Sequence, residues 1–224
     1  MRTALLFQDG NFVGREYYAQ LQARGRKPDL VAAVGRMSAQ SIEREIARTG
    51  GLWNPPALPA GQTVHRFESL RDPALWTLLR DEGIALALQG GVGILTEAML
   101  AVPRVGFLNV HPGKLPQYRG NMCPERAILN GDEVWATAHL IDGGIDTGPV
   151  VAAKRYDADR KAGYHAFRAN LYAHCADVLA EAIARLEQAP DPHRVAQAQP
   201  SEGAAYWPPL TDDEFAQMRQ WFQG

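Results

Sequence analysis

Two short segments concentrate the side chains that can hold or move a proton. The first, residues 107–120, reads FLNVHPGKLPQYRG and carries Asn109 and His111 two residues apart. On an extended strand that spacing points both side chains to one face. Pro112-Gly113 ends the strand at once and leaves His111 at its mouth. An amide and an imidazole so placed can bond to a reacting oxygen. An Asn-x-His taken alone is nevertheless a weak signal, since a lone strand-end histidine is more often structural. The second segment, residues 139–151, reads HLIDGGIDTGPVV. Its glycines and Gly148-Pro149 bracket Ile145-Asp146-Thr147 and force a sharp turn around a carboxylate. Such a loop can hold Asp146 rigidly against a neighbour; the plainer account puts Asp142 and Asp146 in Asx-turns with their own backbone.

These side chains need a frame, and the rest of the sequence outlines one. Residues 3–8, 29–34, 63–67, 84–88 and 105–110 are short apolar runs, most without polar alternation. Runs apolar on both faces suit a parallel sheet covered by helices on each side. Helices are expected between them, at 14–24, 38–48, 72–81 and 95–101. The rhythm predicts an open, doubly wound, mostly parallel α/β sheet, with Asn109 and His111 at its carboxyl edge, where such folds place their ligand crevices. Residues 134–141 and 148–156 read as an antiparallel strand pair joined by a tight turn at Asp142-Gly143-Gly144. A long helix is expected at 162–188, with Phe167, Leu171, Cys175, Val178, Leu179, Ala182, Ile183 and Leu186 on one apolar face. Residues 1–189 are taken as the catalytic domain. The Pro- and Gln-rich tail, 190–224, is expected to pack on it through Trp207-Pro208-Pro209.

Composition narrows the class. The 224 residues are 46% hydrophobic and 21% charged, with a net charge of −2. A chain of this size buries roughly 70% of its unfolded surface, so it needs no metal or disulfide staple. The one compact basic cluster, Arg24-Arg26-Lys27, falls where a helix should end, which argues against a nucleic-acid face. Cys123 and Cys175 have no metal-like spacing and read as buried free thiols. The opening MRTALLFQ is too short for a signal peptide, and no stretch approaches the ~20 apolar residues of a membrane helix. A cytoplasmic protein, with no membrane partner and no metal, is expected.

Together the two segments resemble the signature of the folate-dependent formyltransferases. That family includes glycinamide ribonucleotide transformylase, methionyl-tRNA formyltransferase and the aminosugar N-formyltransferases. Its pattern is matched here by Asn109, His111, Pro112, Leu115, Pro116, Tyr118, Arg119 and Gly120. His139, Asp142, Asp146, Thr147, Gly148 and Pro149 follow in the same order. With Gly90 to Leu95, the resemblance covers about residues 84–151. It implies a Rossmann-like formyltransferase fold and a catalytic trio of Asn109, His111 and Asp146. An amine attacking a formyl carbonyl builds charge on oxygen, to which Asn109 and a protonated His111 would donate. Asp146 would favour that imidazolium and help to remove the amine's proton.

The resemblance further implies that Gly90, Val92, Gly93, Ile94 and Leu95 cradle the pterin of the formyl donor, 10-formyltetrahydrofolate, with Ile141 and Asp142 across the slot. It places the acceptor against Gly10, Asn11 and Phe12, in a loop that lacks the Ser of a Gly-Ser-Asn phosphate element. Tyr118, Arg119 and Lys114 could meet an acceptor's phosphate or carboxylate; Arg119 could equally pair with an internal acid. A tRNA acceptor is disfavoured, because no additional C-terminal domain follows and the chain is not basic. A small-molecule amine remains, either a nucleotide-linked aminosugar or an amino-acid-derived amine, with a homodimer left open. The competing expectations are a 10-formyltetrahydrofolate hydrolase, which would use water in place of the amine, and a non-catalytic folate or nucleotide binder.

Overall fold

The computed structural model describes residues 1–223. The chain runs through β1 (Thr3–Asp9), α1 (Phe12–Ala23), β2 (Leu30–Arg36), α2 (Ala39–Thr49), β3 (His65–Phe67), α3 (Pro73–Asp81), β4 (Leu86–Gln89), α4 (Glu97–Leu100) and β5 (Gly106–His111). It continues with β6 (Arg119–Gly120), α5 (Cys123–Asn130), β7 (Val134–Leu140), β8 (Val150–Tyr156), α6 (Gly163–Gln188), β9 (Tyr206–Trp207) and α7 (Asp212–Gln220). The main sheet has the order β3-β2-β1-β4-β5-β7-β8. Strands β1 to β5 pair in parallel, and β7 and β8 complete the sheet antiparallel. This is the expected mostly parallel, Rossmann-like sheet with an antiparallel pair and a long helix after it.

Both faces of the sheet are buried, which explains the missing polar alternation. Leu5 and Phe7 of β1 pack into one core layer with Tyr17 and Leu21 of α1 and with the apolar stripe of α6. Their neighbours Ala4 and Leu6 enter the opposite layer, against Leu75, Trp76 and Leu79 of α3. All eight residues expected on the α6 stripe are buried. Arg24 and Arg26, just beyond α1, pair with Asp177 and Glu187 of α6 across the surface. Cys123 and Cys175 are buried and free, and burial pushes both thiols up to about 12, leaving them unreactive.

The sheet order places a topological switch point between β1 and β4, where the connections leave in opposite directions and open a crevice. Gly90, at the exit of β4, sits so tightly there that a Cβ would stand 2.9 Å from the Leu6 carbonyl and 3.0 Å from Gly14 Cα. Asn11 spans the same point. Its Oδ1 accepts from the Val13 amide at 2.8 Å to cap α1, and its Nδ2 donates to the Gly91 carbonyl at 3.3 Å.

Four features depart from the sequence reading. The helix expected at 95–101 is a single turn, α4. An unforeseen helix, α5, follows the His111 loop, with Pro at its start and Gly131 in the left-handed conformation at its end. The link between β7 and β8 is the wide loop 141–149 rather than a tight turn at 142–144. The tail carries β9, which pairs with β6, and α7, closed by a Thr211–Glu214 capping box. Trp207 Nε1 donates to the Gln117 carbonyl at 3.0 Å, and Arg126 meets Glu214 at 2.6 Å. Among the described residues no helix is long and apolar enough to cross a membrane.

One buried charge pair ties α5 to α6. Arg168 lies 3.4 Å from Glu125, whose Oε1 also accepts from the Tyr164 hydroxyl at 2.8 Å. Burial disfavours the Arg168 charge, but Glu125 outweighs burial and holds the guanidinium's proton above its ordinary range. Removing one partner of such a pair strands the other charge. Glu125→Ala should therefore cost ~3–5 kcal/mol of unfolding free energy in urea titration, far more than truncation at the exposed Glu133.

Candidate active site

The antiparallel register of β5 on β7 sets Asn109 opposite His139 and His111 opposite Thr137. Asn109 Nδ2 lies 3.2 Å from His139 Nε2, and His139 Nδ1 lies 3.1 Å from the Leu140 carbonyl. That carbonyl fixes the hydrogen on Nδ1, so Nε2 accepts from the Asn109 amide and orients it. His111 is nearly enclosed, with its Nε2 2.7 Å from the Tyr118 carbonyl and its Nδ1 3.3 Å from Asp146 Oδ2. Asp146 Oδ2 also accepts from the Gly120 amide at 2.9 Å, while its Oδ1 lies 3.7 Å from His139 Nε2. The structure thus brings Asn109, His111 and Asp146 together at the carboxyl edge of the sheet. Asp146 is no Asx-turn residue: its backbone is left-handed, with φ 55°, and its carboxylate faces two histidines.

The protonation balance differs from the sequence expectation. Burial lowers the pKa of His111; the Asp146 charge and the Tyr118 carbonyl push it up, His139 pushes it down, and the net direction is down. The imidazole is therefore neutral at neutral pH, not an imidazolium. Because the Tyr118 carbonyl can only accept, the single hydrogen sits on Nε2 and the Nδ1 lone pair faces the carboxylate. Burial raises the pKa of Asp146, but its two histidine neighbours and the Gly120 amide outweigh that, and the net direction is down. The pair is a receptor for one proton.

Two loops leave the strands that flank β5, one after β4 and one after β7. On the first, Gly93 has φ +93° with open space around it, and Ile94 is 89% exposed. Val92 and Leu95 turn inward instead, joining Phe107 and the half-buried Ile141 in the core beneath. Gln89 braces this loop, with its Oε1 accepting from the Gly91 amide at 2.5 Å and its Nε2 donating to the Gly93 carbonyl at 3.2 Å. On the second loop, Ile145 is 58% exposed. Here Asp142 does form an Asx-turn, since its Oδ1 accepts from Gly144 N at 3.1 Å and from Thr147 Oγ1 at 2.5 Å. Among the described residues no group of His, Cys, Asp or Glu is arranged to hold a metal ion.

The residues expected to hold an acceptor are dispersed. Tyr118 is buried, its hydroxyl bonded to Asp132 and Asn130 and its ring stacked on Trp207, so its phenol cannot reach a ligand. Arg119 pairs with no acid among the described residues; its Nε and Nη2 both donate to Gln199 Oε1, at 3.1 and 2.7 Å. Lys114 lies over the Trp135 ring. Asn11 is tied into the fold by its two backbone bonds, and Phe12 packs edge-on against Trp53. Gly10 borders a separate groove with Arg15 and Arg66.

The sequence model of the formyl transferase family matches residues 1–183. The chain belongs to that family. It is 36% identical over 180 residues to the methionyl-tRNA formyltransferase of Roseiflexus sp. (strain RS-1), a match covering 77% of this chain and 51% of that protein. The chain spans about half the length of that curated relative. Glycinamide ribonucleotide transformylase 1 from Symbiobacterium toebii superposes with a TM-score of 0.61 at 21% identity, over 84% of this chain and 87% of that one. A sugar N-formyltransferase from Shewanella sp. FDAARGOS_354 superposes with a TM-score of 0.60 at 14% identity, over 99% and 88%. These two likenesses speak to the fold.

Three supports of the family's motif residues escaped the sequence reading. His139 orients Asn109, a role visible only once the strand register is known. Gly113 leaves room for the imidazole, since a Cβ there would stand 2.5 Å from His111 Nε2. Gln199, beyond the family match, donates its Nε2 to the Asp146 and Gly148 carbonyls at 2.9 and 2.7 Å and so fastens the Asp146 loop to Arg119.

Two outcomes follow from this geometry. Gly113→Ala should dislodge the His111 ring; its imidazole should titrate closer to the ordinary 6.5 in NMR, while the far-UV circular dichroism stays native. The second concerns acid stability. His111 binds its proton less readily folded than unfolded, so stability is complete above 6.5 and falls as pH drops below it. Asp146, lowered as well, adds a loss of the same sign below 3.8. Melting temperature against pH should show the first decline in the wild type and a flatter one in His111→Gln.

Proposed function

We propose that this chain moves the formyl group of 10-formyltetrahydrofolate to the amine of a small molecule. The observation that carries the reading is His111 Nδ1 set 3.3 Å from the Asp146 carboxylate, on one sheet edge with the Asn109 amide 3.2 Å from His139. The cradle fits the donor. The amides of Gly93, Ile94 and Leu95 have no partner among the described residues, and exposed Ile94 and Ile145 offer apolar surface on the loops after β4 and β7. A flat heteroaromatic ring with a polar edge suits that combination.

The donor supplies a formyl carbon bonded to a nitrogen leaving group. Asn109 Nδ2 has a second hydrogen, not used by His139, to donate to the formyl oxygen as charge builds on it. The amine nitrogen bonds to the carbon and its surplus proton passes to His111 Nδ1, directly or through one water. The resulting imidazolium lies between two acceptors, the Tyr118 carbonyl and Asp146, which compensate its burial. Protonation of the leaving nitrogen from the same Nδ1 completes the transfer and regenerates the neutral ring. No enzyme acyl intermediate forms. Nucleotide-linked aminosugars and amino-acid-derived amines both present the primary amine that this chemistry requires.

The test is release of tetrahydrofolate from 10-formyltetrahydrofolate, with and without a panel of amines. Release that requires an amine is expected. Equal release without one would make the protein a hydrolase, and folate binding without any release would make it a binder. Asn109→Ala should lower kcat by ~10²–10³, the usual effect of losing one oxyanion donor. Because His111 acts as a base, kcat/KM should rise with pH through a limb below 6.5 and then level off.

A further inference from the structure

The tail that follows α6 touches the loops on both sides of the site. Gln197 pairs with Val150, just past the Asp146 loop, its amide and its carbonyl each bonded at 2.8 Å. Further on, Ala205 donates to the Pro116 carbonyl at 3.1 Å and accepts from the Arg119 amide at 3.0 Å, on the loop after His111. Gln199 lies between these contacts and reaches both loops with one side chain. Its Oε1 accepts twice from Arg119, at 3.1 and 2.7 Å, and its Nε2 donates to the Asp146 and Gly148 carbonyls at 2.9 and 2.7 Å. A guanidinium only donates, so Arg119 fixes which end of the amide is oxygen and aims the two hydrogens at the Asp146 loop. The protein takes all four bonding positions of this amide, which leaves none for a substrate.

The two carbonyls that Gln199 holds stand on either side of Thr147, so they fix the peptides that follow the carboxylate. Asp146 is left-handed, with φ 55°, a conformation that its surroundings must hold. A turn of that backbone would swing the carboxylate away from His111 Nδ1, now at 3.3 Å, and from the Gly120 amide, now at 2.9 Å. Resting on the transferase reading, we propose that Gln199 is a positioning residue for the transfer. It keeps Asp146 where the carboxylate can compensate the imidazolium formed at His111, and Arg119 acts one step further out by orienting Gln199. Because Gln199 lies beyond residues 1–183, the span of the family match, this support comes from the chain's own tail.

Three variants of the full chain test this, by tetrahydrofolate release and by NMR of isotope-labelled protein. Gln199→Glu keeps an acceptor for Arg119 but, when ionised, has no hydrogen for the two carbonyls; the tail stays tied and the loop is released. Gln199→Ala removes both contacts. Thr211→Ala removes the cap of α7 instead, and should lower the melting temperature without changing turnover. Both Gln199 variants should lower kcat by ~10–100-fold, a larger change than in KM, as a misplaced catalytic group does. In both, the Gly120 amide resonance should shift as its bond to Asp146 is lost, while that of Val150 holds. A Gly120 resonance that stays in place, or Gln199→Glu turning over like the wild type, overturns the proposal. Joint movement of Gly120 and Val150 in Gln199→Glu also overturns it, since that marks a tail that has merely come loose. If the wild type itself releases no tetrahydrofolate with any amine, the transfer reading fails, and the Gly120 resonance decides separately whether Gln199 holds Asp146.

Discussion

The Asp146 carboxylate is held in a conformation that an L-residue adopts only under constraint, and much of the surrounding architecture supplies that constraint. A left-handed aspartate costs on the order of 1–3 kcal/mol unless its neighbours over-determine it. Here they do. The Gly120 amide, His111 and His139 converge on the carboxylate, and Gln199 takes the backbone carbonyl from behind. Gly120 is itself placed by the β6–β9 pairing, and His139 by the antiparallel register of β7 on β5. Where the carboxylate stands therefore depends on two sheets and the tail at once.

The chemistry at His111 is settled by a contest between burial and charge. A neighbouring carboxylate taken alone would keep the ring protonated, which is the natural inference from the residues in sequence. Enclosure reverses that outcome, because removing a charged ring from water opposes protonation more strongly than one partner at 3.3 Å favours it. The Tyr118 carbonyl then selects the tautomer. A backbone oxygen thus decides which nitrogen is basic, and the tyrosine side chain, the part most visible in the sequence, serves only to hold the loop in place.

How much of this was legible follows physical lines. The strands β1 to β5 and the α6 stripe could be read because double-sided burial and a 3.6-residue period leave marks within each segment. The coming together of Asn109, His111 and Asp146 was legible through the resemblance to the formyltransferase signature, while glycine and proline marked only that both loops are constrained. The direction of Tyr118, Arg119 and Asn11 was not, since loop side chains follow no period and their partners lie far off in sequence. Helix α7 could have been found from Thr211-x-x-Glu214. Gln199 could not: 53 residues separate it from Asp146, in a stretch whose composition suggests only a surface loop.

That distance has a consequence for when the protein becomes itself. The seven-stranded sheet and both of its core layers are encoded almost entirely before residue 189, so a growing chain can complete them while its tail is still within the ribosome. Asp146 then has its histidines but lacks the glutamine that fastens its loop to Arg119. The loop that carries Asp146 is thus fastened after the sheet is complete, by a residue that takes no part in building it.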